Sequence, residues 1–161
     1  QSGMIEPTKA INCIDFCNTL GDKNMSHNCK AIAFACIDWR LHPQLEELLK
    51  EHCGVFDLCA TAGAVKGLHN SSSQDFFLNQ IEISVKLHSP ETIILTVHRD
   101  CGAYGGSGAF ANKDEEFAHH SKVLEETADF LKAKFPEFKI EKFFIELEER
   151  GSEWQCRLLP A

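Results

Sequence analysis

The chain has 161 residues, 43% of them hydrophobic, and a chain of this size buries one hydrophobic core rather than two. Its 16 lysines and arginines are outnumbered by 24 aspartates and glutamates, so the formal net charge is −8. Because the chain has no basic cluster to follow a phosphate backbone, we expect no nucleic-acid partner.

The N-terminal part of the chain carries a weak structural signal. Residues 1–3, which precede Met4, resemble the remnant of a cleaved purification tag, so the predicted domain covers residues 4–161. Residues 5–22 predict a helix or an irregular arm, and residues 21–28 predict a polar connector. A signal peptide would begin with a basic region and an apolar stretch, and a membrane span needs an apolar run of about 20 residues. The chain shows neither, so we expect a cytosolic protein without a membrane partner.

A continuous apolar run at residues 30–37 predicts the first strand. Because the run does not alternate with polar residues, it is typical of a strand covered on both faces of a parallel sheet. Leucines at helical spacing follow and predict a helix, which Pro43 opens at a first-turn position that tolerates proline. Residues 54–61 predict a second strand, and residues 62–64 turn the chain directly after it.

The second half of the chain repeats this alternation of helix and strand. Residues 73–88 predict a mostly buried helix with serine caps, and residues 92–97 predict the third strand. A glycine-rich turn leads into a long helix at residues 114–134, which the sequence Phe-Pro ends. The last 20 residues contain two alternating runs, which predict a terminal hairpin or a fourth strand with a ragged tail. The order of elements predicts a single-domain, three-layer α/β fold with a mainly parallel central β-sheet flanked by helices.

Candidate metal ligands follow two of the predicted strands. Cys36 comes at the end of the first strand, and His98 and Cys101 follow the third. Ligands of open α/β sheets bind beyond the carboxyl ends of the strands, so the fold brings these residues together. Thiolate and neutral imidazole are ligands that zinc prefers, and three protein ligands leave the fourth position open for water. The sequence therefore predicts a catalytic site with one zinc ion.

Two motifs around these ligands resemble the signature of β-class carbonic anhydrases: Cys36-x-Asp38-x-Arg40 and His98-x-x-Cys101-Gly102, separated by an Ala-Gly turn. The resemblance covers residues 31–106. It implies that the two cysteines and the histidine bind zinc, and that Asp38 and Arg40 form a catalytic dyad beside the fourth ligand. It also implies a homodimer or tetramer whose active-site cleft is built partly by the neighbouring subunit.

The predicted dyad has a physical role in this chemistry. Two thiolates cancel the charge of zinc, so the site acidifies its water less than three histidines would, and we expect activity to favour alkaline pH. Asp38 is placed to accept a hydrogen bond from zinc-bound hydroxide, while Arg40 holds Asp38 ionised. In an alternative resting state, Asp38 itself closes the zinc.

The residues beside the predicted dyad differ from the usual pattern of the family. Ile37 and Trp39 stand where the family usually has small polar residues. Gly63, Ala64 and Gly102 are small enough to let carbon dioxide approach the metal, although a glycine at a turn also has a purely conformational explanation. We predict reversible hydration of carbon dioxide to bicarbonate and a proton. The alternatives are hydrolysis of carbonyl sulfide or carbon disulfide, and a non-catalytic zinc-bearing domain that binds a small ligand.

Residues outside the motifs give two further predictions. The chain has more large apolar side chains outside the strand core than a small monomer hides easily. Some members of one set of phenylalanines are therefore predicted to face another subunit, with residues 76–78 reaching toward the neighbour's metal: Phe76, Phe77, Phe110, Phe143 and Phe144. The pair His119-His120 predicts a solvated face of the long helix rather than a proton relay. His42, His52, His69 and His88 have no motif partner and are interpreted as surface or structural residues.

Overall fold

The computed structural model of the chain describes residues 27–42 and 44–161. Their strands and helices are, in chain order, β1 (Ala31–Cys36), α1 (Gln44–Cys53), β2 (Phe56–Thr61), α2 (Gln74–His88), β3 (Thr92–His98), α3 (Lys113–Lys134), β4 (Lys139–Arg150) and β5 (Glu153–Pro160). Short 3-10 helices occupy Ala64–His69, Gly102–Tyr104 and Ser107–Ala109. None of the described helices is both long and apolar enough to cross a membrane. The predicted tag remnant, the arm and Pro43 lie outside the described residues.

The five strands form one sheet in the order β2-β1-β3-β4-β5. The first four strands of this order pair in parallel, and β5 pairs with β4 in the antiparallel sense. The predicted α/β fold with a mainly parallel sheet flanked by helices is confirmed. Of the two alternatives for the C-terminal segment, the hairpin forms, and its first strand extends the parallel sheet through β3.

Strand β1, which lies between β2 and β3, is buried on both faces, and the two faces differ in side-chain size. One face carries small side chains: Ala31, Ala33 and Ala35. They leave room for α1, whose Leu45 and Leu49 are fully buried in the same cluster. On the other face, Ile32 and Phe34 pack in a cluster with α2 and α3. The continuous apolar run predicted this double burial.

The two long helices begin in different ways. The Asn112 side chain accepts hydrogen bonds from the backbone N–H groups of Asp114 and Glu115, at 3.0 and 2.9 Å, and so caps α3. The predicted serine cap of α2 is wrong. The Ser73 hydroxyl makes no capping bond and instead donates to the carbonyl oxygen of Gly67 at 2.8 Å.

Two of the phenylalanines predicted to lie at an interface belong to the core instead. Phe77 is buried on α2, and Phe144 is fully buried on β4. Tertiary packing decides which face of the helix or strand is buried, and the local sequence pattern does not reveal it. The prediction therefore did not assign these two side chains to the core. Phe76, one residue away, is 52% exposed and remains a candidate for an interface.

His120 also departs from its predicted place. His119 is exposed, as expected for a solvated helix face, but the His120 side chain is fully buried. Its ring lies between aromatic residues, 4.7 Å from the Tyr104 ring and 5.8 Å from the Phe144 ring, centroid to centroid. Contacts from β4 and from the loop after β3 therefore bury a histidine that α3 alone would leave in solvent.

Candidate metal centre

The three predicted metal ligands meet at the middle of the sheet. Strand β1 has β2 on one side and β3 on the other, so the strand order reverses between β1 and β3. Cys36 is the last residue of β1, and His98 is the last residue of β3. Cys101 follows three residues later and caps the next 3-10 helix. Adjacent carboxyl ends of parallel strands thus position all three side chains.

The three ligand atoms form a buried cluster. The sulfur atoms of Cys36 and Cys101 lie 3.9 Å apart, and a nitrogen of His98 completes a group whose members are all within 4.8 Å of one another. Two sulfurs bound to one tetrahedral zinc at about 2.3 Å stand about 3.8 Å apart. The sulfur spacing therefore fits zinc.

The hydrogen bonding of His98 leaves one ring nitrogen available. Nδ1 lies 2.8 Å from the carbonyl oxygen of Arg99, and because a carbonyl only accepts, Nδ1 carries the proton. Nε2 then holds a lone pair, and it is buried without a hydrogen-bond partner among the described residues. A buried nitrogen without a partner is costly, and a cation at this position would satisfy it.

The hydrogen bond between the two cysteines shifts their pKa values in opposite directions. Hydrogen bonding from Cys101 lowers the pKa of Cys36 to about 4, with help from His98 and from the backbone N–H of Gly63. The same shared proton, together with burial, raises the pKa of Cys101. These contacts favour the thiolate form of Cys36, and a cation at the site would favour the thiolate form of both cysteines.

The turn after β2 supports Cys36 through Gly63. The N–H of this glycine points at the Cys36 sulfur, 3.4 Å away. The backbone φ of Gly63 is +74°, and a Cβ atom there would lie 2.8 Å from the Cβ of Ala103. Both features require glycine. At Gly102, by contrast, a Cβ atom would meet no atom of residues 27–42 or 44–161 within 4 Å, so crowding by these residues does not demand a glycine there.

Asp38 and Arg40 form the predicted pair. Nη2 of Arg40 lies 2.7 Å from Oδ2 of Asp38, and Nε lies 3.0 Å from Oδ1. The Arg40 guanidinium lowers the pKa of Asp38 and keeps it ionised. Oδ2 is 4.0 Å from Nε2 of His98, although Asp38 does not belong to the group whose ligand atoms lie within 4.8 Å of one another. The carboxylate thus stands beside the ligand cluster rather than in it.

Asp100 is a further contact of Arg40 that the sequence analysis missed. Its carboxylate accepts from Nη1 at 2.8 Å and its carbonyl oxygen accepts from Nη2 at 2.9 Å. Asp100 has a φ of +57°, in the left-handed region, and the backbone N–H of Ser107 holds its other oxygen at 2.9 Å. The only sequence signal was a carboxylate between two predicted ligands.

Trp154 of the C-terminal hairpin also reaches the site. The Arg40 guanidinium carbon lies 5.1 Å from the centre of the indole ring. The Gln44 side chain fixes the strand by donating to the Trp154 carbonyl and by accepting from the N–H of Cys156 at 2.9 Å. These contacts join residues more than a hundred positions apart in the sequence, so a local sequence pattern does not predict them.

A buried ion network fixes the segment that carries His98 and Cys101. Arg99 donates two hydrogen bonds to the carboxylate of Glu146, both at 2.8 Å, and one to Glu116 at 3.0 Å. Glu116 also accepts from the backbone N–H of Asp100 at 2.7 Å. The loop after β3 is therefore bonded to both β4 and α3, which holds its ligands in place.

Comparisons with known proteins found a matching family model and two related chains. A family model described as "Putative carbonic anhydrase" matches residues 26–158. An uncharacterized protein of Rickettsia conorii is 31% identical over an alignment that covers 73% of this chain and 67% of the relative. An uncharacterized protein of Rickettsia bellii is 29% identical, with 73% of this chain and 76% of the relative covered.

Two proteins of known structure share the fold. A carbonic anhydrase from Streptococcus mutans superposes with a TM-score of 0.50 at 18% identity, covering 83% of this chain and 86% of that protein. A carbonic anhydrase from Glaciozyma antarctica gives a TM-score of 0.50 at 19% identity, covering 89% of this chain and 94% of that protein.

Proposed function

This chain belongs to the carbonic anhydrase family, and we propose on that premise that it binds zinc through Cys36, His98 and Cys101 and catalyses the reversible hydration of carbon dioxide to bicarbonate and a proton. The family predicted from the two motifs is thereby confirmed. The observation that carries the proposal is the buried Nε2 of His98, which has no hydrogen-bond partner in the part of the chain that the structure describes, beside two sulfurs 3.9 Å apart.

The donor set supports zinc over other cations. Two thiolates and an imidazole are soft and intermediate ligands, which suit zinc and do not suit magnesium or calcium. Zinc held there would supply a Lewis acid that lowers the pKa of a water molecule. With three protein ligands, the site leaves room for that water, as catalytic zinc sites do.

Asp38 is proposed to orient the attacking water. Its carboxylate accepts a hydrogen bond from the water and turns a lone pair of the water oxygen toward the carbon of carbon dioxide. The low pKa of Asp38, caused by Arg40, means that the carboxylate accepts this bond without keeping a proton. Arg40 is a positioning residue, because its guanidinium is taken up by Asp38 and Asp100.

Three small residues are proposed to leave space for the substrate. Gly63 and Ala64 form the turn after β2, next to the Cys36 sulfur, and Gly102 follows Cys101 directly. None of the described residues crowds Gly102, and its backbone φ is one that other residues also adopt, which supports a role for this glycine in keeping open space.

We also propose that the chain forms a homodimer at least, with the cleft shared between subunits. Trp39 is 74% exposed and Ile37 is 58% exposed, and both flank Asp38. Large apolar side chains beside an active site are favoured where a second subunit covers them. Phe76, at the start of α2, adds a third exposed side chain.

The test is a stopped-flow carbon dioxide hydration assay on zinc-loaded protein, with carbonyl sulfide and carbon disulfide tried in parallel. We expect hydration of carbon dioxide that rises toward alkaline pH and is lost on removal of zinc by a chelator. Asp129→Asn, an exposed change on α3, serves as a control that keeps the rate. Fully zinc-loaded protein that does not hydrate carbon dioxide would overturn the proposal.

A further inference from the structure

A second group of metal-ligating side chains lies at the end of the sheet opposite the candidate metal centre. Cys29 precedes β1, Asp57 is the second residue of β2, and His88 ends α2. One ligand atom from each of these residues lies within 4.8 Å of the other two. The sequence analysis treated His88 as a surface or structural residue and gave the other two no role.

Backbone hydrogen bonds assemble this cluster independently of its side chains. The N–H of Cys29 donates to the carbonyl oxygen of His88 at 2.9 Å, and the next N–H, of Lys30, donates to Val55 at 2.7 Å. The three segments that carry the ligands are therefore tied together at the start of the sheet. A site formed in this way does not have to be organised by a bound ion.

Hydrogen bonds hold Asp57 and His88, and both are reachable from solvent, whereas the buried Cys29 thiol donates to the carbonyl oxygen of Ala31 at 3.3 Å. Nδ1 of His88 lies 2.9 and 2.8 Å from the two oxygens of Asp57, and the Ser84 hydroxyl donates to Asp57 at 2.5 Å. Cys29 is buried, whereas the side chains of Asp57 and His88 are 28% and 32% exposed. A cavity of about 210 Å³, lined in part by Asp57, Ser84 and His88, gives access from solvent.

We propose that Cys29, Asp57 and His88 form a second zinc site, separate from the proposed catalytic one. A thiolate, a carboxylate and an imidazole are all zinc ligands, and three of them leave a fourth position for water from the cavity. The Ser84 hydroxyl would hold the ligating carboxylate in place, as supporting residues of metal sites do.

Only a small movement is needed to admit the ion. Two light atoms on one tetrahedral zinc stand about 3.3 Å apart, so the contact between His88 and Asp57 has to open by about half an ångström. Both side chains are partly exposed, which permits that rotation. The competing account is a simple ion pair of Asp57 and His88 beside a buried thiol, and it predicts no bound metal.

The experiment measures zinc per chain after equilibrium dialysis against buffered free zinc. We expect two zinc ions in the unsubstituted protein, one in Cys29→Ser and one in His88→Gln. Cys59→Ser is the matched control, because Cys59 lines the same cavity outside the cluster, and it should keep two. His88→Gln changes a partly exposed side chain, so this variant should fold even if the fold does not tolerate a substitution at the buried Cys29. Circular dichroism verifies that each variant is folded.

A second set of variants separates the two sites. Cys101→Ser should retain one zinc, and the double variant Cys101→Ser with His88→Gln should retain none. Cobalt added to Cys101→Ser should give a thiolate-to-cobalt absorption band that Cys29→Ser removes. If the proposed catalytic site failed and this one held, total zinc would be one, would be lost in His88→Gln and in Cys29→Ser, and would be kept in Cys101→Ser. The proposal is overturned if His88→Gln and Cys29→Ser both bind as much zinc as the unsubstituted protein.

Discussion

Arg40 holds both carboxylate oxygens of Asp38, through Nη2 to Oδ2 at 2.7 Å and Nε to Oδ1 at 3.0 Å. This pairing keeps the carboxylate ionised while Oδ2 stays 4.0 Å from Nε2 of His98. A carboxylate fixed in this way can accept a hydrogen bond beside the metal without becoming a ligand. The alternative in which Asp38 closes the zinc would require it to leave Arg40.

The first prediction concerns this carboxylate. Asp38→Ala should retain zinc at Cys36, His98 and Cys101, because Asp38 is not in the ligand group. Carbon dioxide hydration should fall at least about 100-fold, since the attacking water loses its orienting acceptor. Metal analysis and stopped-flow rates check the two halves separately. An unchanged rate would mean that another residue orients the water.

The second prediction concerns the zinc ligands. Cys101→Ser should bind one zinc fewer per chain and lose activity, because each ligand supplies a large part of the affinity. Cys53→Ser is a suitable control, because Cys53 lies at the end of α1 outside the ligand cluster. Loss of zinc from both variants would point to a general defect in folding, and retention in Cys101→Ser would contradict the ligand assignment.

The metal ligands were predictable because their positions follow from strand ends. Cys36 and His98 each close a continuous apolar run, and parallel strands with adjacent carboxyl ends bring such residues together. Asp100 was not predictable, because it reaches Arg40 through a left-handed backbone conformation. Trp154 was missed for a different reason: β5 must pair with β4 before the indole comes near Arg40.

The strands of the parallel sheet were predictable from the sequence, whereas the burial of individual side chains was not. Buried parallel strands have a clear signal in their apolar runs. The predicted β1 is one residue longer than the observed strand at each end, and the predicted β3 is one residue shorter at its C-terminal end. The start of β4 was missed because Lys139 and Glu141 interrupt the apolar pattern. Burial of single residues such as His120 depends on side chains from other elements, which periodicity does not describe.

The third prediction concerns the buried network beneath the metal centre. Although burial acts to raise it, the pKa of Glu116 is lowered by hydrogen bonds from the N–H of Asp100, from Ser107 and from Arg99. Glu116→Ala should reduce the free energy of unfolding by about 3–5 kcal/mol, because Arg99 is left without one of its buried partners. Urea denaturation at neutral pH measures the change.

Glu126→Ala is the control for that measurement. Glu126 lies on the same helix, is exposed, and pairs only loosely with Lys122, at 3.7 Å. Its removal should change the free energy of unfolding by no more than about 0.5 kcal/mol. Equal effects of the two substitutions would show that the buried network does not stabilise the loop.

The fourth prediction concerns pH and His120. Burial, with a smaller effect of His119, lowers the pKa of His120 from 6.5 to about 4. Between these two values the unfolded chain binds a proton that the folded chain does not, so stability falls as the pH decreases from 6.5 to 4. The free energy of unfolding should lose about 3 kcal/mol from this group across the window.

The variant His120→Phe should remove that part of the pH dependence, because phenylalanine cannot take up a proton and suits the aromatic surroundings. His119→Phe changes the exposed neighbour and should alter the slope only slightly, because burial is the larger cause of the low pKa of His120. Unfolding measured at several pH values between 4 and 7 distinguishes them. A slope that persists in His120→Phe would assign the pH dependence to other groups.

The last prediction concerns assembly. Trp39, which lies between Asp38 and Arg40, is 74% exposed, and Phe76 is 52% exposed at the start of α2. If a second subunit covers the cleft, burying the indole should contribute at least about 2 kcal/mol to association, so Trp39→Glu should weaken the dimer about 30-fold or more.

Val55→Asp is the control, because Val55 is 65% exposed at the opposite end of the sheet, where the backbone N–H of Lys30 donates to its carbonyl oxygen. Sedimentation at low micromolar concentration should find a dimer or tetramer of the unsubstituted protein and of Val55→Asp, and a dissociated, less active Trp39→Glu. A fully active monomer would contradict the shared cleft.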